Sequence, residues 1–202
     1  FKEHEGSFLV GMIAAMKSQT GTVGFVGGMD IPLIRKFHGG YEQGAKYVNS
    51  DINVLMNMTG TTPEAWNNPT KGAELTKAQI DKGADVVYQA AGGTGIGVLQ
   101  AAADAGIFGI GVDANQNYMH PGSVLTSMLK RVDVAVYNAF KSTIDGTYEA
   151  GVFTLGLAED GVGWALDEHN ANLITDEMKS RVEQARKDII SGKITVADAS
   201  AQ

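Results

Sequence analysis

Short apolar runs are the clearest feature of the first half of the chain. Four runs are rich in Val, Ile, Phe, Met or Tyr and are followed by Gly or Asp within a few residues: 22–26, 53–58, 85–90 and 108–112. Strands that are short and apolar throughout are typical of a parallel sheet that is covered on both faces. The pattern therefore predicts a buried parallel sheet in this part of the chain.

Helical spacing of apolar residues fills the segments between these runs. It covers residues 35–48, 71–82 and 96–105, and Gly106 follows as a possible C-terminal cap. Strand and helix alternate at roughly 25–30 residues per strand–helix unit, which is typical of right-handed crossovers in an open parallel sheet. The predicted fold class is therefore α/β, with a parallel sheet flanked by helices.

Three further helices are predicted on either side of this region. Residues 6–18 form an apolar pattern that indicates a buried helix, and residues 132–144 carry an apolar face. Because neither segment follows a predicted strand, we expect each to pack on a different lobe. The last helix covers about 175–191, begins at a capping signal at Thr175, and precedes a possible short strand at 194–196.

Composition and charge exclude several classes of function. The net charge of −7 argues against nucleic-acid binding and against adhesion of the folded body to an anionic membrane surface. The 26 glycines suit a fold with many tight strand-to-helix turns. The chain contains no cysteine, which excludes disulfides, thiolate metal sites and cysteine nucleophiles. Apolar runs of about 18 residues, as a bilayer-spanning helix needs, are absent from the sequence.

Polar and small residues follow all four predicted strands, in the loops 27–30, 59–68, 92–97 and 113–116. In an open α/β sheet, ligands bind beyond the carboxyl ends of the strands. The alternative for any single loop is that strand ends are rich in Gly and Asp simply because the chain turns there. The four loops together favour a binding edge.

The glycine-rich loop at 92–97 does not match a nucleotide-binding fingerprint. The G-x-G-x-x-G pattern from Gly93 requires glycine at position 98, which is Val98, and no Walker sequence occurs. What remains is a glycine turn onto a helix N terminus, where backbone N–H groups can approach a polar ligand closely.

Three side chains near these loops are candidates for ligand contacts. Trp66 lies in a polar loop and is either a lid over the core or a platform on which a flat base or sugar stacks. Asp113 could accept hydrogen bonds from both hydroxyls of a ribose, or could be a turn or helix-capping residue. Lys130 is expected to open a helix, where its charge opposes the helix dipole, so it has another partner or is a surface lysine.

Catalysis has little support in the sequence. The four histidines have no metal-ligand spacing, and no G-x-S-x-G elbow supplies a serine nucleophile. We therefore predict a protein that is not an enzyme and that needs no cofactor or metal.

Eight motifs resemble the basic membrane protein (BMP) family of substrate-binding lipoproteins. They occur in order between residue 5 and about residue 163, so the resemblance covers most of the chain. The matching segments are 5–11, 24–30, 36–41, 60–62 with 66–69, 91–95, 111–113, 127–131 and 161–163.

The resemblance implies a periplasmic-binding-protein fold of the first type, in which two α/β lobes close on a ligand. It also implies that Trp66 stacks on a base, that Asp113 and Lys130 hold the ribose, and that the glycine turn approaches the ligand. The candidate ligand-binding set is Trp66, Asn68, Gly93, Thr94, Asp113 and Lys130.

The implied function is an extracytoplasmic receptor that delivers a purine nucleoside, such as adenosine, guanosine or inosine, to the permease of an ABC importer. Family members are lipid-anchored in the periplasm or at the outer face of the cytoplasmic membrane. Three alternatives stay open: riboflavin or another flat heterocycle as ligand, a sensing module on the same fold, and an enzyme acting on a nucleoside, which the missing catalytic groups disfavour.

Two family features are not found in the sequence. Family members usually begin with a further lobe and a lipid-attachment cysteine, and neither is recognisable here. We therefore expect a first lobe that is largely missing, with residues 1–20 and about 123–147 as its remaining elements. Residues 21–122 and about 148–202 are expected to form the second lobe.

Overall fold

The computed structural model describes residues 1–201. It contains one six-stranded sheet with helices on both faces, so the predicted α/β class is confirmed. None of the helices within these residues is long and apolar enough to cross a bilayer. The strands are β1 (Thr22–Met29), β2 (Asn53–Gly60), β3 (Val86–Ala90), β4 (Phe108–Asp113), β5 (Val124–Lys130) and β6 (Val162–Trp164). The helices are α1 (Glu3–Lys17), α2 (Pro32–Val48), α3 (Pro69–Ile80), α4 (Thr94–Asp104), α5 (Val132–Ile144) and α6 (Asp176–Ile190).

The strand order across the sheet is β2-β1-β3-β4-β5-β6. Strands β1 to β5 are parallel, and β6 pairs antiparallel with β5. The carboxyl ends of the five parallel strands therefore meet at one side of the sheet, which we call the carboxyl edge. The order reverses between β1 and β3, and a crevice for ligand forms at such a reversal.

Alternate side chains of the central strands fill two separate cores, as the period of two in a strand requires. Phe25 and Tyr88 belong to the larger core, which α1, α2 and α6 cover. Val26 and Val87 belong to the smaller core on the opposite face, below α3 and α4. Burial on both faces explains why these strands read as continuous apolar runs.

Helices α1 and α2 pack with their backbones in direct contact. A Cβ atom at Gly11 would overlap the backbone carbonyl of Tyr41, and one at Gly44 would overlap that of Phe8. Gly40 lies in the same way against the backbone of His4. Since any side chain at these positions would separate the helices, the glycines set how closely α1 and α2 approach each other.

Parts of the secondary structure differ from the sequence-based prediction. Strands β5 and β6 were not predicted, and Lys130 ends β5 instead of opening a helix. Residues 194–196 lie outside the sheet. The predicted cap of the last helix is confirmed, because the Thr175 hydroxyl accepts a hydrogen bond from the backbone N–H of Met178.

The packing also differs from the expected division into lobes. Helix α1 is part of the larger core, and β5 is an inner strand of the sheet, so residues 1–20 and 124–130 do not stand apart from it. Helix α5 behaves differently: no residue from 132 to 154 is buried. Its side chains Val136, Tyr137 and Phe140 are at least half exposed. Within the segments expected in a first lobe, only α5 and the residues after it, to about 147, are still expected to belong to one.

Candidate functional site

Trp66 lies at the point where the strand order reverses. It ends a short 3₁₀ turn, Pro63–Trp66, which packs against β1 and β2. A Cβ atom at Gly28, near the end of β1, would overlap the indole ring, and one at Gly92, after β3, would lie 3.6 Å from ring atom Cε3. The ring thus rests on glycine backbone between two strands and is half-buried.

The loop that carries Trp66 is held by two of the predicted ligand-binding residues. The Thr94 hydroxyl, fully buried, donates to the Ala65 carbonyl at 2.7 Å and accepts from the Asn68 N–H at 2.8 Å. The Asn68 side chain caps α3 by accepting from the N–H of Lys71 at 2.9 Å. Both side chains are therefore engaged in positioning the tryptophan loop.

Gly93 lies directly before α4 and beside the tryptophan loop. A Cβ atom there would be 3.1 Å from Asn67 Oδ1 and 3.2 Å from the Trp66 carbonyl oxygen, closer than most real Cβ contacts. Gly92 precedes it with φ of +57°, a conformation that glycine adopts without strain. The turn brings the N terminus of α4 to the carboxyl edge next to Trp66.

Replacing Gly28 by alanine is expected to displace the Trp66 ring. We expect a shift in tryptophan emission and a loss of about 1–3 kcal/mol in the free energy of unfolding, as for other overpacked sites. Both can be measured in a Trp164→Phe background, where Trp66 is the one tryptophan left. Gly163→Ala is the control, since a Cβ atom there meets no atom within 4 Å. Unchanged Trp66 emission in Gly28→Ala would contradict this packing.

Asp113 is the last residue of β4 and has a left-handed backbone conformation, with φ of +62°. The turn after it is held by Gln116, whose Oε1 accepts from the Val112 N–H at 2.9 Å and from Gln89 Nε2 at 2.7 Å. The Gln116 N–H in turn donates to the Ser127 hydroxyl at 2.9 Å. This network fixes the direction in which Asp113 leaves the sheet.

The pKa of Asp113 is raised, because surrounding protein atoms remove water from its carboxylate. The nearby Lys130 ammonium lowers this pKa and Glu3 raises it, and no hydrogen bond within the described residues contributes. A folded-state pKa above the unfolded value means that folding favours the neutral acid, so ionisation at neutral pH costs stability. Asp113 is exposed, and its carboxylate accepts no hydrogen bond from the described residues, so it is open to a ligand.

Lys130 ends β5, the neighbour of β4, so it lies beside Asp113 at the carboxyl edge. Its Nζ is 3.0 Å from Oε1 of Glu3, whose side chain is only 3% exposed. Asp113 and Lys130 both line an open cleft of about 520 Å³, together with Ala114, Asn115, Leu129, Arg131, Val132 and Asp133.

The six predicted site residues fall into two groups at the carboxyl edge. Trp66, Asn68, Gly93 and Thr94 surround the end of β3 and the strand reversal, whereas Asp113 and Lys130 line the cleft at the ends of β4 and β5. Glu3 was not predicted. An acidic residue in the first turn of a helix is explained by the helix dipole alone, so the sequence holds no signal of its burial.

One group of described residues has the composition of a metal site. Potential ligand atoms of Asp167, Glu168 and His169 lie within 4.8 Å of one another, a proximity that follows from their being consecutive. The Asp167 carboxylate already accepts hydrogen bonds from Asn115, Asn117 and the N–H of His169. Its role in the structure is to hold the loop after β4.

Comparisons with known proteins agree with this architecture. Residues 1–200 match the Bmp family, described as ABC transporter substrate-binding protein PnrA-like. The chain is 38% identical over 215 residues to the ABC transporter nucleoside-binding protein BmpA of Lactococcus lactis, covering 97% of this chain and 58% of that protein. It is 40% identical over 181 residues to an uncharacterized lipoprotein of Pyrococcus abyssi, covering 83% of this chain and 44% of the relative.

A solved structure supports the same relationship. The crystal structure of an ABC transporter solute-binding protein from Aeropyrum pernix superposes with a TM-score of 0.83 at 31% identity, covering 96% of this chain and 64% of that one. The chain thus spans about half to two thirds of the length of these relatives. The strand order, the family match over residues 1–200 and the identity to these relatives lead to one assignment. The chain belongs to the Bmp family of PnrA-like ABC transporter substrate-binding proteins.

Proposed function

We propose that this protein is the receptor that captures a purine nucleoside and delivers it to the permease of an ABC importer. The observation that carries the proposal is the presence at the carboxyl edge of both an aromatic ring and an exposed carboxylate that no protein group hydrogen-bonds. A nucleoside has the matching parts, since its base is flat and its ribose carries two adjacent hydroxyl donors.

The base is assigned to Trp66. The ring lies on Gly28 of β1 and near Gly92 after β3, and it is half-buried, so part of its surface is available for stacking. Stacking of a base on an aromatic ring contributes about 1–3 kcal/mol. The N terminus of α4, after Gly93, lies beside the ring.

The ribose is assigned to Asp113 and Lys130. Its hydroxyls would supply the donors that the Asp113 carboxylate lacks, and Lys130 would donate to a ribose oxygen from the next strand. Strands in a sheet lie about 4.8 Å apart, so Asp113 on β4 is on the order of 5–10 Å along the edge from a base at the β1–β3 reversal. That separation suits a base and its attached sugar.

The remaining parts of the proposal concern regions beyond the sheet. The exposed apolar face of α5 would pack on a first lobe, which closes over the ligand and excludes water from the site. The name of the Lactococcus protein, a nucleoside-binding protein, supports the ligand class. That of the Pyrococcus protein, a lipoprotein, supports an extracytoplasmic location at the membrane through a lipid anchor. The proposal is a binding function without a catalytic step.

A flat heterocycle such as riboflavin is the second candidate ligand, because stacking on Trp66 does not select a nucleoside. Titration calorimetry on the complete protein, stripped of ligand, separates the two. We expect tight binding of adenosine, guanosine or inosine, weaker but measurable binding of adenine, and little heat with riboflavin. No heat with any nucleoside from folded, ligand-free protein would refute the proposal, and binding of riboflavin alone would replace it.

Trp66→Ala is expected to weaken nucleoside binding by about tenfold or more, since it removes a stacking contribution of over roughly 1.4 kcal/mol. Trp66→Phe should keep most of the affinity because it keeps an aromatic face. Trp164→Phe is the matched control: this indole donates to Glu183 at 3.0 Å and lies on β6, away from the reversal. Equal affinity in wild type and Trp66→Ala would show that the base binds elsewhere.

A further inference from the structure

Glu3 is a buried carboxylate between two lysines. It is the first residue of α1 and is 2% exposed. Its Oε1 lies 3.0 Å from Lys130 Nζ, and its Oε2 lies 3.7 Å from Lys36 Nζ. Lys36 comes from α2 and also pairs with Asp198 at 3.3 Å. Residues from α1, α2, β5 and the segment after α6 thus meet at Glu3.

The burial of this carboxylate is not explained by stability. Removing a charge from water costs several kcal/mol, and an apolar side chain of similar size often serves a fold at least as well as a buried ion pair. Oε2 of Glu3 has no hydrogen-bond partner within the described residues, so the cost is incompletely offset. The fold thus holds a negative charge at a place where the core does not require one.

The position of Glu3 relative to Lys130 suggests what the charge does. A lysine side chain is flexible, and a second carboxylate lies near Lys130, since Asp113 pairs with Leu129 in the sheet and Asp113 and Lys130 line the same cleft. The Phe1 and Phe37 ring centroids lie 5.4 Å and 6.0 Å from Nζ, within the range of cation–π contacts. Without Glu3, the ammonium would pair with Asp113 and occupy the carboxylate that a ribose needs.

We propose that Glu3 is a positioning residue that holds Lys130 away from Asp113, so that both groups remain available to the ligand. This inference rests on the proposed nucleoside function and adds to it a competition between two carboxylates for one ammonium. Lys36 screens the charge of Glu3 from the other side.

Glu3→Gln in the complete protein tests the idea through affinity. The affinity for adenosine should fall about tenfold, the scale of one charge-assisted hydrogen bond, while that for adenine stays the same. In a Lys130→Met background, Glu3→Gln should have no further effect on adenosine binding. Glu5→Gln is the matched control on the same helix: Glu5 accepts from the Leu157 N–H at 2.8 Å, so its loss should lower stability without changing the preference for nucleoside over base.

A crystal structure of ligand-free Glu3→Gln provides a readout that does not depend on the ligand. We expect the Lys130 ammonium at ion-pair distance from the Asp113 carboxylate. If it stays in its present place, the inference is overturned, whatever the protein binds. If the ammonium moves as expected but wild type binds no nucleoside, the positioning role stands and the proposed ligand fails.

Discussion

Asp113→Ala is expected to lower the affinity for adenosine by about a hundredfold or more. The carboxylate would accept from two ribose hydroxyls, and charge-assisted hydrogen bonds contribute roughly 1.5 kcal/mol each at the low end, about 3 kcal/mol together. Adenine lacks the ribose, so its affinity should change by less than about twofold. Titration calorimetry with both ligands on the complete protein measures the two effects side by side.

The control for this substitution addresses the backbone. Asp113 has φ of +62°, a conformation in which alanine is strained. Asp160 has φ of +54° and lies outside the cleft around Asp113, so Asp160→Ala carries a similar backbone cost without removing a proposed ribose contact. If Asp113→Ala weakens adenosine and adenine equally, or no more than Asp160→Ala does, Asp113 does not bind the sugar.

Gly44→Val is expected to lower the free energy of unfolding by about 3 kcal/mol or more, which places it among the severe overpacking mutations. Its side chain would occupy the space of the Phe8 carbonyl, so α1 would have to move away from α2 and from the larger core. For a domain of this size each kcal/mol lowers Tm by about 2–4 °C, so a fall of roughly 6–12 °C should be seen by calorimetry.

Gly44→Ala makes the test sharper because its sign is informative. In an ordinary helix interior, replacing glycine by alanine stabilises by about 0.5–1 kcal/mol. Here we expect it to destabilise, since even one methyl group overlaps backbone atoms. Ala139→Val, at an exposed position of α5, controls for the helix propensity of valine. A stabilised Gly44→Ala variant would mean that the two helices are not in backbone contact.

The inner strands could be predicted because they are buried on both faces and therefore apolar throughout. Strand β5 was missed since Thr126 and Ser127 interrupt its apolar run. Both side chains are fully buried. The Thr126 hydroxyl donates to the Ala165 carbonyl, far along the chain, and the Ser127 hydroxyl donates to Asn117 Oδ1, across a loop. Strand β6 has three residues and is defined only by its pairing with β5.

The candidate site shows the same limit. Trp66 and Asp113 could be singled out because each lies at or after the end of a predicted strand, and strand ends in a parallel sheet share one edge. The environment of Lys130 could not be predicted, since its partner Glu3 is 127 positions away and is buried only because four separate segments meet there. Local sequence determines that a residue reaches the edge, whereas long-range packing determines which charges surround it.

The pairing of β5 with β6 has a consequence for how the chain is assembled. The two strands are antiparallel neighbours, and the pairing continues to Arg131, whose N–H donates to the Gly161 carbonyl at 2.8 Å. They form a β-hairpin whose connection has about thirty residues, whereas a tight hairpin turn needs only two. Because residues 132–154 bury nothing among the described residues, substitutions there need no compensating change in the larger core. Their sequence is constrained only where the apolar face of α5 would meet the proposed first lobe.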